Sequence, residues 1–273
     1  MVPGNPKQVL ISVKSWARHR ARPLLLLRPG VALPDQGVEF FLLLGDAGRR
    51  ALLVRGSGRA GGLLGQLPDI VAQYGDAVFT MLADDAALED VAYRSGGLLQ
   101  SLPKGGIHIC SGTHGVAAIR KLTQAHAQAG QILVAAPMLG RPNLVASGQA
   151  GMVASGPAEA LEHCRPLFEA IARRTFIAGT DPDAATSVKV ANNFVLGCAI
   201  EAMGEGFSLI RKFGVEPQVF YDVMTDGLFA SSAYKVYGKI IMDETYSTVG
   251  QMATLGLKDA NLALAAGETV GVP

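Results

Sequence analysis

Lys189 and Asn193 stand four residues apart in the run Lys189-Val190-Ala191-Asn192-Asn193, near the start of a long apolar helical pattern that opens after Gly179. On a helix this spacing puts an ammonium and a carboxamide on one face, one turn apart. Together they can grip one small polar substrate, and the ammonium can give a proton to an oxygen that is gaining charge. The pairing points to an enzyme. Glu201 and Glu205, further along the same helix, read as facing solvent or another helix.

Other residues could serve such a site. Thr113 follows an apolar strand at Gly106–Ser111, and Leu82 ends the strand before it. The carboxyl ends of parallel strands are where doubly wound folds hold ligands, although a threonine there is by itself a turn or cap residue. Gly140-Arg141-Pro142, after the strand Gln131–Ala136, offers a backbone N–H and a guanidinium to a carboxylate, or is a surface turn with a solvated arginine. Lys258-Asp259 lies in an apolar helical segment, where such a pair is ordinarily a solvated face. Gly56-Ser57-Gly58-Arg59-Ala60-Gly61 has the glycine spacing of a dinucleotide loop. It follows the apolar Ala51–Val54, but Gly62, Gly65 and Pro68 make a poor first helix behind it. The histidines at 108, 114, 126 and 163 show no shared spacing and receive no role. Cys110, Cys164 and Cys198 show no metal-ligand pattern and read as free thiols of a reducing cytoplasm; no metal is expected.

The elements that must position these groups alternate. Asp76–Leu82, Gly106–Ser111, Gln131–Ala136, the weaker Ala150–Ala154 and Phe176–Gly179 read as strands. Between them lie a capped helix at Asp84–Tyr93, one around Ala117–Ala129 and an amphipathic one at Ala158–Ile171. Strands alternating with helices imply a largely parallel α/β sheet. After Gly179 the strands stop. Asp181 with Pro182 opens a helix running to about Lys212, and Pro217–Met224, Ser231–Met242 and Gln251–Gly267 add more. Residues 1–66 differ: eight arginines stand against three acids, and neither periodicity lasts. The organisation expected is an aberrant or poorly ordered segment at 1–66, the sheet domain at 67–180 and a helical domain at 181–273.

The chain has 273 residues, enough for one large or two ordinary domains, and a net charge of +1 that gives no pull towards nucleic acid. No uninterrupted apolar stretch reaches the roughly 18 residues of a membrane span, and the N-terminus lacks the pattern of a secretory signal. A cytoplasmic protein, with neither membrane nor nucleic acid as partner, is expected.

Taken in order, DAVFTMLADD, HICSGT, VAAPMLGRP, GQAGMVASG, KVANN and LGLKD resemble the β-hydroxyacid dehydrogenase family over roughly residues 69–273. The resemblance implies an incomplete Rossmann-like α/β N-terminal domain, a long connecting helix and an all-α C-terminal domain, with homodimerisation through the helices. It also implies NADP or NAD as cofactor. Lys189 matches the family's catalytic lysine and Asn193 its substrate-orienting asparagine. Lys258 matches the lysine that closes over cofactor and substrate, Thr113 the threonine beside the nicotinamide, and Leu82 with Ala83 the loop along the dinucleotide. Gly140 and Arg141 fall in the loop that binds the carboxylate.

There are departures. Relatives open with a strand and GxGxMG well upstream of the DAVFTML segment, and Gly56–Gly61 stands too close to it in sequence for two intervening strands. The family's Ser-Thr pair is Gly112-Thr113, and its Ser-Gly-Gly loop is Leu139-Gly140-Arg141, which argues against 3-hydroxyisobutyrate itself. The arginine-rich N-terminus suggests a shifted reading frame, and relatives continue beyond Pro273. The function expected is hydride transfer between a nicotinamide and a small 3-hydroxy acid or aldehyde acid, with Lys189 as general acid and base. The alternatives are an inactive dehydrogenase-like relic and a helical interaction module.

Overall fold

The structure, a computed structural model, describes residues 38–44 and 50–56 as backbone, and 77–141, 144–145, 147–246 and 253–272 in full. The glycine-rich stretch after Gly56, with the rest of the dinucleotide-like spacing, lies outside them, as does Pro142.

Eight strands form one sheet, in the order β1-β2-β3-β4-β5-β7-β6 with β8 on β7. They are β1 (Val38–Leu44), β2 (Arg50–Gly56), β3 (Ala77–Leu82), β4 (Ile107–Cys110), β5 (Ile132–Ala135), β6 (Met138–Leu139), β7 (Gly151–Ser155) and β8 (Arg174–Gly179). β2 to β5 run parallel, as do β7 and β8. Helices α1 (Asp85–Tyr93), α2 (Leu98–Ser101), α3 (Val116–Gln128) and α4 (Ala158–Ile171) cover them.

Alternation along β3 shows why its sequence is nearly continuous in apolar residues. Val78 and Leu82 pack with Leu88, Val91, Ile119 and Leu122 of α1 and α3. Ala77 and Phe79 pack on the other face with Leu161, Cys164, Leu167 and Phe168 of α4. A parallel strand covered on both sides has no solvent face to supply polar residues.

The sheet is largely parallel, as expected, and two details go beyond that expectation. The sheet is mixed: β7 runs antiparallel to both β5 and β6. β5 and β6, with only Ala136 and Pro137 between them, pair with β7 in one register and run the same way, so the chain turns back between Leu139 and Gly151. Within residues 1–66, where no periodicity lasts, β1 and β2 are strands nonetheless, antiparallel to each other, with β2 continuing the parallel sheet. Ladder pairing with a neighbour is a tertiary bond that local alternation does not report.

The chain divides into two compact units, and the division falls inside the long helix α5 (Pro182–Lys212), after Lys189. In the first unit, the buried Ser155 hydroxyl donates to the Pro182 carbonyl (2.9 Å) and accepts from the Ala185 N–H (2.8 Å), fixing the start of α5 on the end of β7. Asp183 pairs with Arg120 of α3. In the second unit, Met203 and Phe207 of α5 pack with Met224 of α6 (Pro217–Asp226) and Ile241 of α7 (Ser232–Met242). Arg211 donates to the Ile241 and Met242 carbonyls, satisfying the end of α7. The last helix, α8 (Ala253–Val270), has no buried residue in this chain.

Over 18 residues α5 reaches a mean hydropathy of 1.2, so among the described residues it is one helix long and apolar enough to cross a membrane by length and composition. Counting uninterrupted apolar runs misses this, because Gly, Ser, Thr and Asn break the runs without adding charge.

Candidate active site

The carboxyl ends of β3 and β4 bring Leu82 and Ala83 beside Gly112 and Thr113. The Ser111 N–H donates to the Thr80 carbonyl (2.8 Å), carrying the ladder one step past β4. A Cβ on Gly112 would lie 2.6 Å from the Leu82 carbonyl oxygen and 2.3 Å from His114 Nε2. No side chain fits there, which is the physical reason that glycine stands where the family pattern has serine.

Two helices start at this edge, and one carboxylate serves both. α1 is capped by Asp84, whose Oδ1 accepts from the Ala87 N–H (2.8 Å). α3 has no side-chain cap of its own at Gly115. Asp85, in the first turn of α1, supplies one from outside: its oxygens lie 3.0 and 3.2 Å from the Gly115 N–H and 3.0 Å from His114 Nδ1. A carboxylate between two helix N-termini is also favoured by both macrodipoles. Burial disfavours a charged His114, but the Cys110 sulfur and the Asp85 carboxylate outweigh it and hold the imidazole pKa up, to about 9.

Behind the edge runs a buried polar chain. Thr80 Oγ1 lies 2.8 Å from His108 Nε2, His108 Nδ1 2.9 Å from His126 Nε2, and His126 Nδ1 2.6 Å from Gln131 Oε1. Gln131 Nε2 donates to the Leu102 (2.6 Å) and Leu99 (3.3 Å) carbonyls, which turns its Oε1 to His126. The network then assigns the protons: each imidazole is neutral with hydrogen on Nδ1, and the Thr80 hydroxyl donates at the far end. Adding a proton to either ring would make the Thr80 hydroxyl turn from donor to acceptor and would place a charge in a buried site. Burial accordingly lowers the pKa of His108 well below the usual histidine range, helped by the neighbouring His126 and His114. Burial lowers His126 too, partly offset by its bond to Gln131.

In the second unit, Asn193 Nδ2 donates to Asp259 Oδ2 (2.8 Å), and the other oxygen of Asp259 lies 3.6 Å from Lys258 Nζ. Asn193 and Lys258 thus share one carboxylate. Lys189, one turn before Asn193, is buried, with 8% of its surface exposed. Gly140 has a φ of +154°, open to glycine and few others, and a Cβ there would press on Ala150. With the half-buried Arg141 it follows β6, which continues the line of β5 along β7. Glu201 and Glu205 are exposed in this chain.

Sequence reasoning passed over Asp85, His108, His114 and His126. The available signal was chemical: Thr80 and His108 are polar side chains inside strands otherwise apolar throughout, and such groups must find partners. Searching for a shared spacing among the histidines hid this, because their partners come from different elements.

Two family models match the chain. Residues 56–179 match the NAD binding domain of 6-phosphogluconate dehydrogenase, and residues 183–273 the NAD-binding domain of NADP-dependent 3-hydroxyisobutyrate dehydrogenase. The uncharacterized oxidoreductase YfjR of Bacillus subtilis is 38% identical over 203 residues, 74% of this chain and 71% of that protein. The NAD-dependent L-serine dehydrogenase of Pseudomonas aeruginosa is 32% identical over 198 residues, 70% of this chain and 66% of its own length. The crystal structure of 3-hydroxyisobutyrate dehydrogenase from Mycobacterium tuberculosis with L-serine matches with a TM-score of 0.65 and 25% identity, covering 76% of this chain and 71% of that one. The cofactor class that follows is NAD or NADP. Fold, models and relatives agree, and the chain belongs to the β-hydroxyacid dehydrogenase family.

Proposed function

We propose that this chain transfers a hydride reversibly between a nicotinamide cofactor and a small 3-hydroxy acid or aldehyde acid, with Lys189 as general acid and base. What carries the reading is the burial of Lys189 one turn before Asn193. Held out of bulk water on the same helix face as Asn193, its ammonium can exchange a proton with a substrate oxygen. In reduction Lys189 gives its proton to the nascent alkoxide; in oxidation neutral Lys189 takes the hydroxyl proton. Asp259 holds one N–H of Asn193, so the amide keeps a fixed plane towards a substrate hydroxyl. Gly140, Arg141 and Lys258 would bind the carboxylate.

The residues present fit the cofactor. β2 ends at Gly56 in register with Leu82, so a glycine segment leaves the carboxyl end of a parallel strand beside β3. Doubly wound sheets bind dinucleotides at such an end, with the glycine-loop strand next to the fourth. This placement speaks against an inactive relic, because closeness in sequence does not displace the strand. Leu82, Ala83, Thr113 and Lys258 would hold the dinucleotide, which when bound supplies or accepts the hydride.

Residues 67–180 would serve as the cofactor half and 181–273 as the half for substrate and subunit pairing. Exposed Phe194, Val195 and Leu209 of α5, Phe213 just past its end, and Leu257 and Leu264 of α8 support a homodimer, since apolar surface of this extent marks an interaction face. Sedimentation should give a dimer; a monomer at micromolar concentration would remove that part. Free cysteines at 110, 164 and 198 support a reducing compartment, the cytoplasm.

The test is Lys189→Ala with L-serine, 3-hydroxyisobutyrate and succinic semialdehyde as trial substrates. Turnover should fall by about 10²–10⁴-fold, the usual worth of general acid–base catalysis, while cofactor affinity stays near wild type. Undiminished turnover in that variant would refute the assignment.

A further inference from the structure

Leu82–Asp84 and Ser111–Thr113 leave neighbouring parallel strands, and each leads into a helix start. One carboxylate, that of Asp85, serves both sides of this junction: it stands in the first turn of α1 and accepts from His114 and Gly115 at the opening of α3. The His114 ring in turn lies over Gly112, its Nε2 2.3 Å and Cδ2 3.0 Å from where a Cβ would stand. A loop pinned by a ring above a bare Cα, with that ring pinned to the neighbouring helix, cannot slide along the first loop.

We propose that His114, gripped by Asp85, is a positioning residue that locks the Leu82–Asp84 and Ser111–Thr113 loops to each other, so that nicotinamide-cofactor affinity depends on this ion pair. The cofactor part rests on the function proposed above; the lock itself does not. The groups facing the ring are Asp85 from α1 and Cys110 from β4, with His108 of β4 deeper. Their balance keeps the ring charged at neutral pH, so the ion pair weakens as pH passes about 9.

The experiment uses the full chain as wild type, His114→Leu and His114→Gln, whose amide can still donate to Asp85. NADPH and NADH are titrated by fluorescence from neutral pH to above 9, and amide exchange is followed on the unliganded proteins. His114→Leu should weaken nucleotide binding about tenfold, the worth of one charge-assisted hydrogen bond, and His114→Gln should recover most of it. The wild type should lose affinity near pH 9, and His114→Gln should lack that step. Exchange in His114→Leu should quicken at Gly115 and over residues 82–87 and 110–116. Unchanged exchange overturns the lock, and quickened exchange with wild-type affinity overturns its role in cofactor binding. A wild type that binds neither nucleotide sinks the dehydrogenase function together with that role, while the exchange result still decides the lock.

Discussion

Acidification should destabilise the sheet unit, and by an amount that replacing His114 makes larger. His108 and His126 are buried and neutral, each with its proton committed to the next acceptor in the chain. Their folded pKa values are lowered, so the unfolded state takes up protons first as pH falls. The stability they contribute is therefore full above the unfolded value of about 6.5 and is lost as pH drops below it. From pH 7.5 to 5.5 about 1.4 kcal/mol is the ceiling for one such group, reached only where the folded pKa lies well below that window, so both histidines lower stability on acidification and neither by more than this. His114 works in the opposite sense. With a folded pKa raised to about 9, its contribution is full below the unfolded value and lost as pH rises. Over the same acid step it regains about 1.3 kcal/mol, so the wild type should lose less than His114→Gln loses.

The measurement is urea unfolding followed by far-UV circular dichroism at pH 7.5, 6.5 and 5.5, in wild type and His114→Gln. Amide exchange of β4 assigns the transition to the sheet unit, because a chain of two compact units need not unfold in one step. A stability in His114→Gln that is flat, or that rises on acidification, would refute the proton assignment along Thr80, His108, His126 and Gln131.

Ser155→Ala should lower unfolding free energy by about 1–3 kcal/mol in urea titrations, because it removes the partner of the Ala185 N–H in the buried first turn of α5. A loss below the error of the titration would mean that Ser155 does not fix that helix. Gly112→Ala should cost about 1–3 kcal/mol by overpacking, its methyl meeting both the His114 ring and the Leu82 carbonyl. Adding His114→Ala should recover part of this cost and not all, since the carbonyl remains; full recovery would show that the backbone gives way.

Most elements were legible because each writes its own local signal. β3 shows an unbroken apolar run, α1 an acidic cap at Asp84, and α5 the Asp181-Pro182 opening and 31 residues of helical pattern. β1 and β2 were not legible, because their stability lies in ladder bonds to neighbours. The antiparallel entry of β7 was hidden for a related reason: its direction follows from the reversal between Leu139 and Gly151, not from the composition of β7. In the candidate site, residue identity was readable at Lys189 and Asn193, where spacing on one helix fixes their face. The partner that joins Asn193 to Lys258 was less so, since Asp259 beside a lysine has the look of an ordinary solvated pair. Asp85 and His114 left no sequence trace of their union, being 29 positions apart on different elements.

His108 and His114 show why charge chemistry collects at one edge of such a sheet. Both imidazoles are buried, and they stand six positions apart on β4 and the loop it enters. In the strand interior, only Thr80 and His126 reach His108; neither is a carboxylate, and desolvation wins. Past the strand end, the first turn of the preceding helix comes alongside and delivers Asp85. Acidic residues are favoured in that first turn by the helix dipole, and parallel topology brings successive helix starts to the same carboxyl edge. Burial therefore does not decide the protonation of a histidine here; its height along the strand does. The cation at the edge also feeds back, since a charged His114 further disfavours a proton on His108. The polar chain inside the unit is thereby held neutral by the same edge at which the loops after β3 and β4 begin.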